Sequence, residues 1–235
     1  MDIVTTAYGW EFLFRYMHFL AGITWIGVLY YFNFIQTPFF GTELGGSAKS
    51  AMTRGLVPNA LWWFRWGAMF TFGTGWLLIL MYLFHGGLSL GDGLITRILT
   101  GGVMGTIMWF NVWFIIWPAQ RDFAIKSAEQ VAAGGEPVPG AAEKGALAGR
   151  ASRTNTLFSI PMLFFMGSAR HFDRFNNGDN DGVYWIVALA IILAVELNAV
   201  IGTGGRQKYL ATVSGTIHVG LVLTLVLYLV GLFLN

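Results

Sequence analysis

Five long runs of apolar residues cover most of the chain and alternate with short polar segments. They lie near residues 10–35, 61–84, 95–117, 183–203 and 209–234. Each run has about the 20 residues that a helix needs to cross a bilayer. A sixth run, residues 155–170, is shorter and contains Pro161. The pattern predicts an all-α, polytopic integral membrane helix bundle of about six transmembrane helices, built as one domain over residues 1–235.

The basic residues between the runs predict how the bundle is oriented. The odd-numbered loops hold Lys49, Arg54, Arg121, Lys126, Lys144, Arg150, Arg153, Arg206 and Lys208. The opposite side holds fewer, namely Arg97, Arg170 and Arg174. Because Lys and Arg collect on the cytoplasmic side, we expect both termini to be non-cytoplasmic. The longest polar segment, at about residues 120–153, is then expected to be a cytoplasmic linker loop.

The composition supports a membrane protein and excludes several kinds of site. Hydrophobic residues make up 55% of the chain and charged residues 11%, whereas soluble proteins average about 25% charged residues. The sequence has no cysteine, so disulfides, iron–sulfur clusters and covalently attached haem are excluded. The net charge is +2, and we interpret its basic residues as a signal of membrane topology. We therefore expect no nucleic-acid partner.

Histidines within the apolar runs are the first candidates for function, because an ionisable side chain is costly to bury in a bilayer. Four of the six runs carry one in the run or at its end: His18, His85, His171 and His218. From the helical rise, His18 and His218 lie at similar depths, roughly 12 and 16 Å below the outer surface. They could ligate the iron of a non-covalent haem b from opposite sides. The alternative is that each is an interhelical hydrogen-bond partner.

The neighbours of His18 suit a flat macrocycle. Gly22 and Trp25 follow it at i+4 and i+7, which places a small surface and a flat surface beside the candidate ligand. Arg15, one turn outward, could pair with a haem propionate. Two other arginines near the outer surface are alternatives for that role, Arg170 and Arg174.

Four further ionisable residues have an open role. His171 is either a ligand on the outer side or a solvated interface residue, and the latter is favoured for His85. Glu196 lies deep in the fifth long run at about the depth of Arg65. The two residues are expected to form a buried ion pair. Alternatively, Glu196 is a proton-linked site that accompanies electron transfer and is tuned by Arg65.

Several blocks of sequence resemble a known family in the same order. The first run contains His18-Phe19-Leu20-Ala21-Gly22-Ile23-Thr24-Trp25-Ile26-Gly27. Trp63-Phe64-Arg65-Trp66 opens the second run, and Trp117-Pro118-Ala119-Gln120-Arg121 closes the third. The block at residues 153–172 follows. Together they resemble the N-terminal membrane domain of bacterial cytochrome-type urate oxidase, also called urate hydroxylase.

This resemblance implies a multi-pass oxidoreductase of the bacterial inner membrane that oxidises urate in purine breakdown. It also implies electron transfer to a c-type cytochrome, which is often fused at the C-terminus. Since the sequence has no cysteine, we expect a separate c-type cytochrome or a respiratory complex as the partner. Two segments differ from the family: residues 41–47 contain no histidine, and residues 195–198 are not basic.

Two hypotheses for the function follow. The first is a haem-b electron-transfer protein of the urate oxidase type, in which His18 and His218 ligate the iron and electrons leave near His171. The second is a haem-free accessory subunit of a larger membrane oxidoreductase complex, whose histidines are structural.

Overall fold

The computed structural model describes residues 2–172, 181–202 and 204–234. The helices of this part are α1 (Asp2–Thr5), α2 (Ala7–Phe40), α3 (Glu43–Gly55), α4 (Val57–Phe84), α5 (Gly93–Ala132), α6 (Ala141–Ser168), α7 (Asp181–Ile201) and α8 (Val213–Phe233). A 3₁₀ turn, Gly204–Leu210, precedes α8. Five helices are long and apolar enough to cross a membrane: α2, α4, α5, α7 and α8. The predicted all-α membrane bundle is therefore confirmed.

Helix α6, which contains the sixth predicted run, forms the centre of the bundle. It packs against α5, α7 and α8, and it also contacts α2. Its polar residues Thr154, Asn155 and Ser159 are completely buried. Because protein rather than lipid surrounds this helix, its hydrogen-bonding side chains find partners there. This position explains why α6 is less apolar than the other long helices.

Small residues allow the helices to approach one another closely. A Cβ atom at Gly67 of α4 would lie 3.1 Å from the backbone nitrogen of Trp25 in α2. A Cβ atom at Gly220 of α8 would lie 2.9 Å from the carbonyl oxygen of Leu157 in α6. Glycine at such contacts is the usual means by which membrane helices pack. These two glycine contacts hold α2 close to α4 and α8 close to α6.

The segment at residues 120–153 differs from the predicted linker loop. Helix α5 continues to Ala132, α6 begins at Ala141, and the turn between them covers residues 133–140. The turn has two glycines with positive φ, Gly134 at 85° and Gly140 at 78°. The charged residues beyond the apolar run continue the helix, and only the glycine- and proline-rich stretch interrupts it. The segment is therefore a helical hairpin.

Two of the long helices contain wider, π-helical turns. They occur at Tyr31–Gln36 in α2, and at Asn111–Ile116 and Gln120–Ile125 in α5. The first two come directly before Pro38 and Pro118. Proline lacks an N–H donor and its ring clashes with the carbonyl four residues earlier, so the preceding turn widens. Such turns are frequent at functional sites.

Candidate functional site

An apolar cavity of about 650 Å³ lies between α2, α4, α5 and α6. We call it the His18 cavity. Its lining includes Arg15, His18, Gly22, Trp25, Gly75, Trp76, Tyr82, Gly102, Gly105, Thr106, Met162 and Met166. Cavities of a few hundred to about 1,000 Å³ with mostly apolar walls and few polar groups are typical of cofactor sites. Four predicted site residues, all on α2, are thus brought together here.

The imidazole of His18 is oriented by a hydroxyl group of α4. Nδ1 of His18 lies 3.1 Å from Oγ1 of Thr74. The Thr74 hydroxyl donates to the carbonyl oxygen of Phe70 at 2.6 Å, so it can accept a hydrogen bond from His18. If the Thr74 hydroxyl donates to Phe70, Nδ1–H of His18 is the donor to Thr74 and the lone pair is on Nε2. It is the arrangement by which proteins orient a metal-binding histidine through its other nitrogen.

Glycines form small surfaces around the cavity. A Cβ atom at Gly75 would lie 3.0 Å from Cε1 of His18, and one at Gly105 would lie 3.4 Å from Sδ of Met162. Gly22, predicted as a small surface beside the ligand, lines the same space. Trp25 is only 1% exposed, and its indole N–H is buried without a hydrogen-bond partner. His18 thus packs against the backbone of α4 at Gly75, and Met162 packs against the backbone of α5 at Gly105.

Arg15 lies at one end of the cavity. Its guanidinium pairs with Glu11 on the same helix, and Nη2 donates to the hydroxyl of Tyr82 at 2.6 Å. The Arg15 side chain remains 41% exposed, so its position suits an acidic group at the edge of the cavity. Of the other arginines predicted for this role, Arg170 is exposed, and Arg174 lies outside the described residues.

The structure does not bring His218 to the His18 cavity. His218 is exposed on α8, and its Nδ1 lies 2.7 Å from the carbonyl oxygen of Ser214. Helix α8 packs on α6 and α7, whereas α2 packs mainly on α4. The helical rise indicates depth only, and the central helix α6 separates the two histidines. In this arrangement they do not face each other across one site.

The two remaining histidines are at helix ends. His85 follows α4 and is exposed. His171 follows α6 and is exposed, with Nδ1 3.0 Å from the carbonyl oxygen of Gly167. Gly167 lines the His18 cavity, so His171 lies about one turn from it. In the described residues, no group of three or more His, Cys, Asp or Glu side chains is placed to hold a metal ion.

Glu196 belongs to a buried amide cluster between α5, α6 and α7. Nδ2 of Asn111 donates to Oδ1 of Asn155 at 2.9 Å and to Oε2 of Glu196 at 3.2 Å. Nδ2 of Asn155 donates to the carbonyl oxygen of Met108 at 2.9 Å. Asn111 and Asn155 are fully buried. The cluster therefore links three helices at the centre of the bundle.

The predicted ion pair between Arg65 and Glu196 is wrong. The guanidinium carbon of Arg65 lies 4.1 Å from the ring centroid of Trp117, 5.2 Å from that of Trp113 and 5.6 Å from that of Trp66. Arg65 is thus surrounded by aromatic faces, which attract a cation. Arg65 and Glu196 therefore have different partners, the tryptophan rings for Arg65 and the Asn111 amide for Glu196.

Comparison with known protein families identifies the family to which this chain belongs. A sequence model of the family described as "Urate oxidase N-terminal" matches residues 93–229, more than half of the chain. The chain belongs to the urate oxidase N-terminal family. No curated protein and no solved structure matches it. Membership of the family confirms the resemblance found in the sequence blocks.

The family match covers only part of the candidate site. It begins at Gly93, the first residue of α5, and ends within α8. Met162, Met166 and the cluster around Asn155 lie within it. His18 and Thr74, on α2 and α4, precede it. The family match therefore does not include the α2 and α4 walls of the His18 cavity.

Proposed function

We propose that the protein is a membrane haem-b electron-transfer protein of the urate oxidase type. The haem would occupy the His18 cavity, and His18 would hold it through Nε2. The observation that carries this proposal is the Thr74 contact, which orients a single imidazole in an otherwise apolar cavity. Membership of the family supports urate as the electron source.

The residues that line the cavity fit such a group. His18 supplies an imidazole, and the thioethers of Met162 and Met166 line the same space; both side-chain types ligate haem iron. The glycines of α2, α4 and α5 accommodate the flat macrocycle. Arg15 suits a propionate at the edge. When bound, haem supplies one-electron redox chemistry, while the protein excludes water, orients the imidazole and compensates the propionate charge.

We propose that electrons leave at the end of the bundle that carries His85 and His171. Tyr82 lines the cavity three residues before His85, and Gly167 lines it four residues before His171. We propose that a c-type cytochrome or a respiratory complex docks at this end. The predicted topology places this end on the non-cytoplasmic face of the bacterial inner membrane.

A second function is favoured by the fact that the polar groups of the cavity already have partners. His18 contacts Thr74, and Arg15 contacts both Glu11 and Tyr82. In a haem-free accessory subunit of a larger oxidoreductase complex, these contacts would be purely structural. Only the first function requires a bound haem, so detection of haem in the purified protein distinguishes the two functions.

The deciding experiment is a dithionite-reduced minus oxidised absorption spectrum of the detergent-purified protein. We expect a b-type α band that disappears in His18→Ala. His85→Ala and His218→Ala are matched controls, because both residues are exposed and neither lines the cavity. We expect both controls to keep the band. A folded protein with no haem signal would support the accessory function instead.

A further inference from the structure

Arg65 is a cation in the membrane-spanning part of α4, and none of the ion pairs among the described residues includes it. Its guanidinium is surrounded by the rings of Trp66, Trp113 and Trp117. The residue as a whole is half-buried. An unpaired charge within a span is costly, and aromatic faces offset only part of that cost, so the group points to a ligand. The proposed haem site does not use it.

A second arginine lies beside one of these rings. The guanidinium carbon of Arg121, an exposed residue, lies 5.7 Å from the ring centroid of Trp117. Arg121 is paired with Asp122 at 2.6 Å, and Lys126 contacts the same carboxylate at 3.4 Å. We call Arg65, Arg121, Asp122 and Lys126 the Arg65 cluster. Its three cations and one carboxylate leave an excess of positive charge, which attracts an anion.

Two exposed tryptophans lie next to the cluster on α4. Trp62 and Trp63 come less than one turn before Arg65 and pack edge to face, with ring centroids 5.0 Å apart. Tryptophan is enriched at the level of the lipid headgroups, because its ring is amphipathic. Trp117 likewise lies at the end of the apolar run of α5, and the charged residues of the hairpin follow it. We therefore place the cluster at the level of the headgroups.

An apolar seam between α4 and α5 leads away from the cluster. Trp66 of α4 packs edge to face on Trp113 of α5, with ring centroids 5.6 Å apart. Exposed phenylalanines lie farther from the hairpin on both helices. The ring of Phe70 lies 6.1 Å from that of Trp66, and Phe110 and Phe114 stack at 4.8 Å. Such aromatic surface suits acyl chains, because apolar contact is favourable for both.

The guanidinium of Arg65 suits a phosphate group. Arg presents its N–H groups in a planar fork that matches phosphate oxygens, and it can stack on an indole face while the fork stays free. Because Nε of Arg65 is buried without a hydrogen bond, its terminal nitrogens Nη1 and Nη2 are the donors available to a ligand. Basic sites between membrane helices are typical places for anionic lipid headgroups to bind.

From these observations we infer that the seam between α4 and α5 binds one anionic phospholipid at the hairpin end of the bundle. The terminal nitrogens of Arg65 would donate to its phosphodiester, while Arg121 and Lys126 add positive charge. The acyl chains would lie along the rings of Trp66 and Phe70. The predicted topology assigns this lipid to the cytoplasmic leaflet. The inference does not depend on haem, and it holds equally for a haem-free subunit.

The test is a titration of the delipidated, detergent-purified full chain, in which native mass spectrometry counts the bound molecules. One probe is dioleoyl phosphatidylglycerol, which is anionic. The other is dioleoyl phosphatidylcholine, which has the same acyl chains and no net charge. We expect phosphatidylglycerol to bind about tenfold more tightly. No binding of phosphatidylglycerol, or equal binding of the two lipids, would overturn the inference.

A third probe separates a lipid from a soluble phosphodiester. Glycerophosphoglycerol has the headgroup of phosphatidylglycerol but no acyl chains. We expect it to bind at least about tenfold more weakly than the lipid, because the apolar seam then has nothing to contact. Binding as tight as that of the whole lipid would mean that the site takes a soluble anion, which would contradict the inference.

Variants locate the lipid at the Arg65 cluster. We expect Arg65→Gln to weaken the binding of phosphatidylglycerol about tenfold and to leave the binding of phosphatidylcholine unchanged. Arg54→Gln is the matched control: it removes the same charge from an exposed residue of α3, just before α4, and should not change either affinity. Phosphatidylglycerol affinity that is the same in Arg65→Gln as in the unmodified chain would refute the proposed site.

A second variant changes an exposed residue of the cluster. Because Arg121 is exposed, Arg121→Gln should fold normally. It leaves Asp122 with Lys126 as its partner and lowers the excess positive charge, so we expect phosphatidylglycerol to bind several-fold more weakly. Undiminished affinity in this folded variant would count against the cluster as the headgroup site. His18→Ala should bind phosphatidylglycerol normally, which separates this result from the failure of the haem proposal.

Discussion

Thr74 contacts His18 through Nδ1 at 3.1 Å and directs its own hydroxyl proton to the backbone of α4 at 2.6 Å. In the proposed haem site, Nε2 of an imidazole oriented in this way would be the ligand atom. Residues that orient a metal ligand typically contribute about 10- to 100-fold to affinity for the metal. If haem binds in the His18 cavity as proposed, the Thr74 hydroxyl should contribute to its affinity.

We expect Thr74→Val to weaken haem binding by about 10- to 100-fold without unfolding the protein, because valine keeps the shape and removes the acceptor for His18. The measurement is a haem titration of the apoprotein followed by absorbance. Thr106→Val is the control, since Thr106 lines the same cavity but bonds to Trp76 and to the carbonyl of Gly102. If both variants lose haem equally, His18 is not oriented by Thr74.

Gly75→Ala should displace the imidazole. The added Cβ would lie 3.0 Å from Cε1 and 3.4 Å from Nδ1 of His18, so the ring has to shift by a few tenths of an ångström. We expect haem affinity to fall on the order of tenfold, with a shifted α band. Gly73→Ala, on the same helix and with nothing within 4 Å of the added atom, should leave both affinity and spectrum unchanged. An identical effect of both substitutions would indicate a general change in α4.

A double-mutant cycle should show which partner Arg65 has. For Arg65 and Trp117 we expect a coupling free energy of about 0.5–2 kcal/mol, as for a guanidinium over an indole face. For Arg65 and Glu196 we expect less than about 0.5 kcal/mol, as for side chains that do not touch. The free energies come from reversible unfolding in mixed micelles. A larger coupling free energy with Glu196 than with Trp117 would instead support the ion pair between Arg65 and Glu196.

Asn155→Leu should destabilise the bundle by about 1–3 kcal/mol, because it removes two interhelical hydrogen bonds, the one from Nδ2 of Asn111 and the one to the Met108 carbonyl. Thermal unfolding in detergent is the measurement. Asn59→Leu provides the comparison, since Asn59 is exposed and surface substitutions usually change stability by less than about 0.5 kcal/mol. Equal melting temperatures for the two variants would mean that the buried cluster does not hold the helices together.

The helices were predictable from the sequence because an apolar run of sufficient length has few alternatives in a bilayer. His18 could be singled out for the same reason, as a costly residue in an apolar run. Rotation about the helix axis and the order of neighbouring helices were not predictable. For this reason His218 does not line the His18 cavity, and Arg65 contacts tryptophans rather than Glu196.

Other parts of the site carried weaker signals. Thr74 lies one position before Gly75 in the second apolar run, and a hydroxyl among apolar residues indicates an interhelical contact without naming the partner. Met162 and Met166 follow Pro161 in the sixth run. Methionines in an apolar run are not distinguishable from ordinary core residues. The helical hairpin could not be predicted from the sequence, because charged residues outside the membrane occur in helices as readily as in loops.

The π-helical turn at Asn111–Ile116 changes the direction in which the side chains of α5 point before and after it. An α-helix turns about 100° per residue, so one additional residue in a turn rotates everything after it by about that angle. Gly105 and Thr106, before the turn, line the His18 cavity, whereas Ile116 and Gln120, at its end and beyond it, line a separate cavity of about 840 Å³ beside the helical hairpin. Deleting a single residue within the turn would rotate one site relative to the other, while leaving nearly all the side chains of both in the sequence.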